Sequence, residues 1–260
     1  MTRILPGVLA MATIVVASNI LVQFLILDGL LTWGAFTYPL AFLVTDVMNR
    51  VYGPTAARKV VFSGLVVGII CSLIGSQIMI QGDGFEYPAV AIRIAIGSAT
   101  AFLIAQLLDI AVFNRLRDGS WWKAPLGSTL VGSTVDTAIF FSIAFAAVFN
   151  GFSASAAEEV VWAQDAVPFL NTGPLVPLWV SLAVADWGVK LSIALLALVP
   201  FRFIVGRVMA RSVSIRNQVS FFLKYTSSVR IYFQAILVIG GDPGLHEVLV
   251  KCVGSSLVDR

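Results

Sequence analysis

Long apolar runs alternate along the chain with short polar or Gly/Pro-containing breaks. Because about 20 consecutive apolar residues cross the hydrocarbon core of a bilayer, runs of this length predict transmembrane helices. Barrel strands would instead show strict alternation of apolar and polar residues, which these runs lack. The pattern therefore predicts an all-α bundle of six membrane-spanning helices, at roughly residues 7–27, 31–49, 60–80, 91–114, 125–149 and 178–200.

Lysine and arginine are unevenly distributed between these runs. The regions after the second, fourth and sixth runs are basic, with Arg50, Arg58, Lys59, Arg115, Arg117, Lys123, Arg202, Arg207, Arg211, Arg216 and Lys224. The loop after the first run carries only Asp28, and the loop after the fifth carries Glu158, Glu159 and Asp165 without Lys or Arg. Since basic loops stay in the cytoplasm, the sequence predicts cytoplasmic N and C termini. Arg93, at the outer start of the fourth run, is the exception.

Two segments are expected outside the bundle. Residues 154–166 suggest a short amphipathic helix on the outer face, with Val160, Val161 and Trp162 toward lipid. The best apolar run after residue 211, Ile231 to Gly241, is too short to span. We therefore expect a transmembrane domain over 1–211 and a poorly ordered cytoplasmic tail over 212–260.

Composition strengthens the membrane interpretation. The chain is 58% hydrophobic and 12% charged, with a mean hydropathy of +0.93, whereas soluble domains are about 25% charged. We therefore attribute the net charge of +3 to cytoplasmic loops rather than to direct nucleic-acid binding. The two cysteines match no disulfide framework or metal-ligand spacing, so neither a metal nor a cofactor is expected.

Polar side chains inside the predicted spans are the candidate functional residues, because a charge in hydrocarbon is costly and normally faces a cavity or a partner. Asp136 lies near the middle of the fifth span, and Lys190 is the nearest cation by depth. Asp186 and Lys190 are four residues apart, so they share a helix face and can pair. Structural roles are the alternative: Arg50 and Arg115 can reach cytoplasmic headgroups, and Asn19 and Gln23 can join helices.

Five stretches resemble the queuosine precursor transporter family, also grouped as vitamin uptake transporters: "SNILVQ", "TWGAFTYPLAFLVTDVMNRVYG", "AQLLDIAVFNRLR", "WWKAPLGSTLVGSTVDTAIFF" and "VADWGVK". The resemblance extends from about Ser18 to Pro200, and the tail after Arg211 does not match. It implies uptake of 7-cyano- and 7-aminomethyl-7-deazaguanine across a bacterial inner membrane for queuosine modification of tRNA. The positions that match the family motifs are Asn19, Gln23, Trp33, Phe36, Asp46, Arg50, Gln106, Asp109, Asn114, Arg115, Asp136, Asp186 and Lys190.

A guanine-like base offers N–H donors, a carbonyl oxygen and a flat aromatic face, and the spans contain partners for each. The predicted acceptors are Asp136 and Asp46, the donors Gln23, Asn19, Gln106 or Arg50, and the stacking residues Trp33, Phe36 or Tyr38. Arg50, bridging Asp46 or Asp109, is expected to form an inner gate. Asn114, Arg115, Asp186 and Lys190 complete the predicted charge network.

Two other function classes share some of these features. A substrate-binding component of an energy-coupling-factor importer would also have six spans, but the first span lacks an Ala-x-x-x-Ala contact motif. An intramembrane enzyme is disfavoured because the chain has no P-loop, no His-Glu-x-x-His and no Gly-x-Ser-x-Gly. The sequence leaves the coupling ion and a homo-oligomeric state open.

Overall fold

The structure is a computed structural model that describes residues 4–21, 25–26, 31–81, 86–152 and 160–239. It is mostly helical, as predicted. Its helices are α1 (Leu5–Leu21), α2 (Gly34–Thr37), α3 (Leu40–Tyr52), α4 (Pro54–Gly75), α5 (Ile92–Leu116), α6 (Lys123–Phe145) and α7 (Leu178–Ile239). Short 3-10 helices cover Ala147–Phe152, Val161–Gln164 and Phe169–Asn171.

Within the described ranges, four helices are long and apolar enough to cross a membrane: α4, α5, α6, and α7 over Leu178–Ala210. The apolar helix α1 is shorter, at 17 residues. The predicted span 31–49 is not one regular helix, since α2 and α3 are separated at Tyr38 and Pro39. Proline has no N–H to donate and its ring clashes with the carbonyl one turn earlier, which explains the break.

Three antiparallel hairpins lie in connections between helices in the described part of the chain. They pair β1 (Leu25–Ile26) with β2 (Leu31–Thr32), β3 (Met79–Gln81) with β4 (Glu86–Pro88), and β5 (Ala166–Pro168) with β6 (Leu175–Pro177). Residues 25–26 and 79–80, predicted as ends of spans, are therefore strand residues. The hairpins satisfy backbone groups that would otherwise lie unpaired beside the helix ends.

The predicted amphipathic helix over 154–166 is described only from Val160 onward. Val161 and Trp162 are exposed there, as expected, but Val160 is 1% exposed and packs with Phe141, Phe145 and Ala163. The prediction that Val160 faces lipid is wrong, because the chain turns at this residue before the 3-10 helix begins. Gln164 donates to the carbonyl of Phe145 and joins this segment to the end of α6.

Large apolar side chains cover the outside of the helices, while polar side chains are concentrated between them. Helix α4, for example, exposes Phe62, Val66, Ile70 and Leu73. The buried polar residues are Ser18, Thr45, Asp46, Asn49, Arg93, Gln106, Asp109, Ser128, Thr129, Ser133, Asp136, Thr137, Ser181 and Lys190. An apolar exterior around a polar interior is the arrangement expected of helices surrounded by lipid.

Helices α5 and α6 form an antiparallel pair that organises this interior. Gly132 allows their close approach, since a Cβ there would lie 2.8 Å from the Phe42 ring and 3.3 Å from the carbonyl oxygen of Ala105. At the other end of the pair, buried Arg93 donates to the carbonyl of Ile143 at 2.7 Å and also to that of Ala146. Arg93 therefore caps the C-terminal end of α6, which explains a basic residue at that position.

The chain divides into two compact units at Gly206 and Arg207. The first contains α1 to α6, the hairpins and the first part of α7, which includes Pro200. The second contains the rest of α7, whose backbone is helical to Ile239. Residues 240–260 lie outside the described residues, and the order of the tail stays a prediction.

Candidate functional site

A buried lysine lies between two carboxylates where α6 and α7 meet. Lys190 Nζ is 2.7 Å from Asp136 Oδ2 and 2.6 Å from Asp186 Oδ2, and it donates to Thr137 Oγ1 at 3.0 Å. The Thr137 hydroxyl in turn donates to Asp186 Oδ2 at 3.0 Å. The sequence left open whether Lys190 pairs with Asp136, with Asp186 or with both, and the structure contains both pairs. We call Tyr38, Asp136, Thr137, Asp186 and Lys190 the lysine cluster.

Tyr38 joins the lysine cluster from the break between α2 and α3. Its hydroxyl donates to Asp136 Oδ1 at 3.1 Å, and Lys190 Nζ lies 5.5 Å from the centre of its ring. The hydroxyls of Ser18 and Thr37, 2.9 Å apart, connect α1 to the end of α2. The interruption at Pro39 thus allows a residue of this segment to reach a carboxylate on α6.

A second polar group lies eight residues earlier on α6, or about 12 Å away at about 1.5 Å per residue. Ser128 and Thr129 donate to the two oxygens of Asp46 at 3.1 and 3.2 Å. Thr45 donates to Gln106 Oε1 at 2.6 Å, and Asp109 lies beside Asp46 and Ser128. We call Thr45, Asp46, Gln106, Asp109, Ser128 and Thr129 the carboxyl cluster.

The carboxyl cluster contains buried polar atoms without partners. Among the described residues, no hydrogen-bond donor reaches either oxygen of Asp109, and no acceptor reaches Gln106 Nε2. Both side chains are fully buried. Because most buried polar atoms in proteins are hydrogen-bonded, these three atoms indicate a position where another group binds.

The C-terminal ends of α3 and α5 are joined by reciprocal hydrogen bonds. Arg117 donates to the backbone and side-chain oxygens of Asn49, the latter at 2.8 Å, while Arg50 donates to the carbonyl of Arg117 at 2.8 Å. Asn49 also donates to the carbonyl of Ile110 at 3.3 Å. We call Asn49, Arg50 and Arg117 the arginine clasp.

A narrow cleft between α3, α6 and α7 reaches the carboxyl cluster. Its lining residues are Pro39, Phe42, Leu43, Asp46, Pro125, Thr129, Ala194, Ala197 and Phe201. It has room for about one water molecule. A two-ring base is far larger, so the helices around this cleft must separate before such a molecule could enter.

The sequence profile of the family described as "Putative vitamin uptake transporter" matches residues 32–205. The chain belongs to this family. The matched region contains the lysine cluster, the carboxyl cluster and the arginine clasp. With its apolar helices, the transporter is a multi-pass protein of the bacterial inner membrane.

Curated relatives of the transporter share one description. It is 36% identical over 189 residues to the "Probable queuosine precursor transporter" of Haemophilus influenzae, and the aligned residues cover 69% of this chain and 70% of the relative. It is 40% identical over 141 residues to the "Queuosine precursor transporter" of Escherichia coli K12, covering 51% and 64%. A Bacillus subtilis protein named "Probable queuosine precursor transporter" is 31% identical, covering 45% and 58%. No solved structure matches the transporter.

The structure brings seven of the predicted site residues into the two clusters: Tyr38, Asp136, Asp186 and Lys190 in one, and Asp46, Gln106 and Asp109 in the other. The predicted bridge from Arg50 to Asp46 or Asp109 is absent. The ion pairs found in the described ranges are those of Lys190, and Arg50 binds the carbonyl of Arg117 instead. The reason is reach, since Arg50 lies at the end of α3, where the C-terminal carbonyls of α5 are available.

The other predicted residues that the structure describes lie outside both clusters. Asn19 and Asn114 donate to carbonyls of their own helices, those of Val15 and Ile110, and Arg115 is exposed. Trp33 and Phe36 are 51% and 37% exposed, with ring centres 5.9 Å apart. Gln23 lies outside the described residues.

Sequence reasoning overlooked Arg117, Ser128 and Thr129 as site residues. A signal for the last two was present in α6, where Ser128, Gly132 and Asp136 recur every four residues, as do Thr129, Ser133 and Thr137. Residues four apart share a helix face, so this face is small and polar throughout. Arg117 is the last residue of the family stretch "AQLLDIAVFNRLR", but the sequence was interpreted only as placing it among the basic residues of a cytoplasmic loop.

Proposed function

We propose that this transporter imports queuosine precursors, 7-cyano- and 7-aminomethyl-7-deazaguanine, to supply queuosine modification of tRNA. The names of the relatives and the family membership support the substrate class. The observation that carries the proposal is the lysine cluster. It places two carboxylates, an ammonium and a phenol between apolar helices near the middle of α6.

The lysine cluster has the complementary groups for a guanine-like edge. A carboxylate of Asp136 accepts the ring N–H and the exocyclic amine, while the Lys190 ammonium donates to the base carbonyl. Binding is then an exchange, in which the base takes over part of the contacts that Lys190 and Tyr38 make with Asp136. Trp33 and Phe36 lie on the segment that ends at Tyr38, and we assign them to stacking on the incoming base.

The arginine clasp replaces the predicted bridge as the inner gate. It holds α3 against α5 at the end of the bundle that carries Arg50 and Arg117, beyond the carboxyl cluster. Opening this contact frees α3 to move about the break at Pro39. Such a movement would widen the narrow cleft, which α3 lines with Phe42 and Asp46.

We further propose six passes with cytoplasmic termini. The four long helices account for four passes, and α1 for a fifth with about 26 Å of apolar helix. Residues 34–52, α2 and α3 together, extend about 28 Å, close to the about 30 Å of a hydrocarbon core. The alternating basic loops support the orientation.

The alternative of an energy-coupling-factor component is disfavoured by the names of the relatives. Membership in a transporter family likewise favours transport over catalysis. One experiment tests the proposal against both. Bacteria unable to synthesise 7-deazaguanines and lacking energy-coupling-factor proteins would express this chain and receive labelled 7-cyano-7-deazaguanine.

We expect cellular label and queuosine in tRNA with the wild type, and neither with an empty vector. A Lys123→Gln variant is the matched control, because Lys123 lies at the start of α6, outside both clusters, and should transport normally. Uptake that required a co-expressed ATPase and scaffold protein would instead establish the alternative. Absence of uptake by well-folded wild type under every condition would refute the substrate assignment.

A further inference from the structure

The carboxyl cluster contains two carboxyl groups side by side and no cation. Asp46 accepts hydrogen bonds from Ser128 and Thr129, whereas Asp109 receives none within the described residues. Asp46 is 2% exposed and Asp109 is fully buried. This differs from the lysine cluster, where an ammonium lies within 2.7 Å of each carboxylate.

The cations of the surrounding elements make other contacts or are exposed. Helix α1 has no ionisable side chain over Leu5–Leu21, and Asp136 on α6 is paired with Lys190. The basic residues of these elements whose side chains the structure describes are Arg50 on the Arg117 carbonyl, exposed Arg58 and Lys59, Arg93 on the Ile143 carbonyl, exposed Arg115, Arg117 on Asn49, Lys123 over Trp122, Lys190 in the lysine cluster, Arg202 over Trp121, and exposed Arg207. Nothing described here neutralises Asp46 or Asp109.

Two adjacent carboxylates in a low-dielectric interior cannot both be ionised without a compensating cation. A proton shared between them removes one charge and supplies the donor that Asp109 lacks. A metal ion fits the cluster poorly. Hard cations take about six oxygen ligands, but here the Gln106 carbonyl is bound by Thr45 and its amide presents N–H groups. No group of three metal-ligating side chains was found in the described ranges.

We propose that Asp46 and Asp109 form a proton-binding site that couples import of the base to entry of a proton. The inference rests on the proposed function. The proton enters with Asp46 and Asp109 open to the outer side, stays between them while the clasp is closed, and leaves when α3 moves away from α5 and water reaches the pair. The proton is assigned to the carboxyl cluster and the base to the lysine cluster, so the two occupy different sites.

The test uses the purified full-length chain in proteoliposomes that contain a pH-sensitive dye. Labelled 7-cyano-7-deazaguanine is added outside, with an inside-alkaline gradient of about one pH unit or with none. One-to-one coupling predicts about tenfold accumulation for each pH unit, and base-dependent acidification of the lumen. Equilibration without accumulation or acidification would overturn the proton site yet leave the transport function standing. No uptake at all, in a preparation that also fails to bind base, would refute the proposed function itself.

Variants localise the effect. Asp109→Asn keeps the side-chain shape but cannot exchange a proton, so it should exchange labelled for unlabelled base yet lose accumulation and acidification. Asp46→Asn should behave in the same way, so the test remains valid if one of the two variants does not fold. Asp118→Asn, the same change at an exposed loop residue, should accumulate base like the wild type. Accumulation by both Asp109→Asn and Asp46→Asn, or accumulation driven by a sodium gradient at equal pH, would overturn the assignment.

Discussion

The ammonium of Lys190 lies 2.7 Å from Asp136 Oδ2, and the two side chains are only 5% and 3% exposed. Asp186, at 2.6 Å from the same ammonium, is 15% exposed. One ammonium group therefore pairs with two carboxylates, of which Asp186 is the more exposed. Removing a single partner from a buried pair leaves an uncompensated charge, whereas removing both can cost little. This asymmetry makes the pair testable by a double-mutant cycle.

Lys190→Met should destabilise the folded transporter by about 3–5 kcal/mol and abolish uptake, because Asp136 and Asp186 would remain buried without a cation. Adding Asp136→Asn should restore much of the thermal stability, which detergent melting curves would measure. Uptake should remain low in the double variant if Asp136 also binds the base. A Lys190→Met protein that melts and transports like the wild type would exclude the pairing from any important role.

Asp136→Asn alone tests base recognition. The change replaces one acceptor with a donor, so the base edge loses a partner that a hydrogen-bonding site cannot easily replace. We expect the variant to fold, and to lose most of the thermal stabilisation that the two precursors give the wild type. An analogue without the exocyclic amine should bind the wild type weakly. Its affinity should also differ less between the wild type and the variant than the affinity of the precursors does. Equal stabilisation of variant and wild type would remove Asp136 from the site and favour Asp46 or Asp109 as the base-binding carboxylate.

Asp186→Asn should change the preference between precursors. With both carboxylates ionised, the lysine cluster carries one excess negative charge, which favours the cationic 7-aminomethyl base over the neutral 7-cyano base. Neutralising the more accessible carboxylate should weaken binding of the aminomethyl precursor by about tenfold and leave the cyano precursor within about twofold. Competition for labelled uptake measures the ratio, and an unchanged ratio would contradict the charge argument.

Arg117→Lys tests the arginine clasp. A lysine cannot make the forked contact with both oxygens of Asn49, so about 1–3 kcal/mol of the closed state should be lost. We expect faster exchange of base across the membrane and increased labelling of a cysteine placed at Val47. Arg115→Lys is the matched control, because Arg115 is exposed two residues away on the same helix end. Identical kinetics in the two variants would show that the clasp is structural.

The orientation predicts where single cysteines react, in a background without Cys71 and Cys252. Residues 155–170 are expected outside, and 54–58 and 118–122 inside. Val161→Cys should therefore react with a membrane-impermeant maleimide in intact cells, and Thr55→Cys and Ser120→Cys only after permeabilisation. Labelling of Thr55→Cys in intact cells would reverse the arrangement.

The apolar runs were sufficient to predict a helical membrane protein, because a span depends on length and composition that any local window contains. The starts of α5, α6 and α7 lie within about two residues of their predicted positions. The candidate residues predicted from the sequence already include most members of both clusters. The pairing of Lys190 could also be predicted, since Asp186 lies one turn away on the same helix and Asp136 is at a similar depth in the membrane.

What only the tertiary structure decided is which polar residues from distant helices meet. Asp46 and Asp109 are 63 positions apart in the sequence, and no local sequence pattern indicates that they are neighbours. Nor does any local pattern indicate that Arg50 contacts the end of α5 instead of these carboxylates. The break at Pro39 and the close α5–α6 contact at Gly132 set these neighbours. The sequence by itself therefore determined the membrane helices and the charges buried among them. Packing decided that Asp136 and Asp186 share a lysine while Asp46 and Asp109 have none. Which charges meet in the buried interior depends on the distances between helices, and the spacing of residues along a single helix does not contain that information.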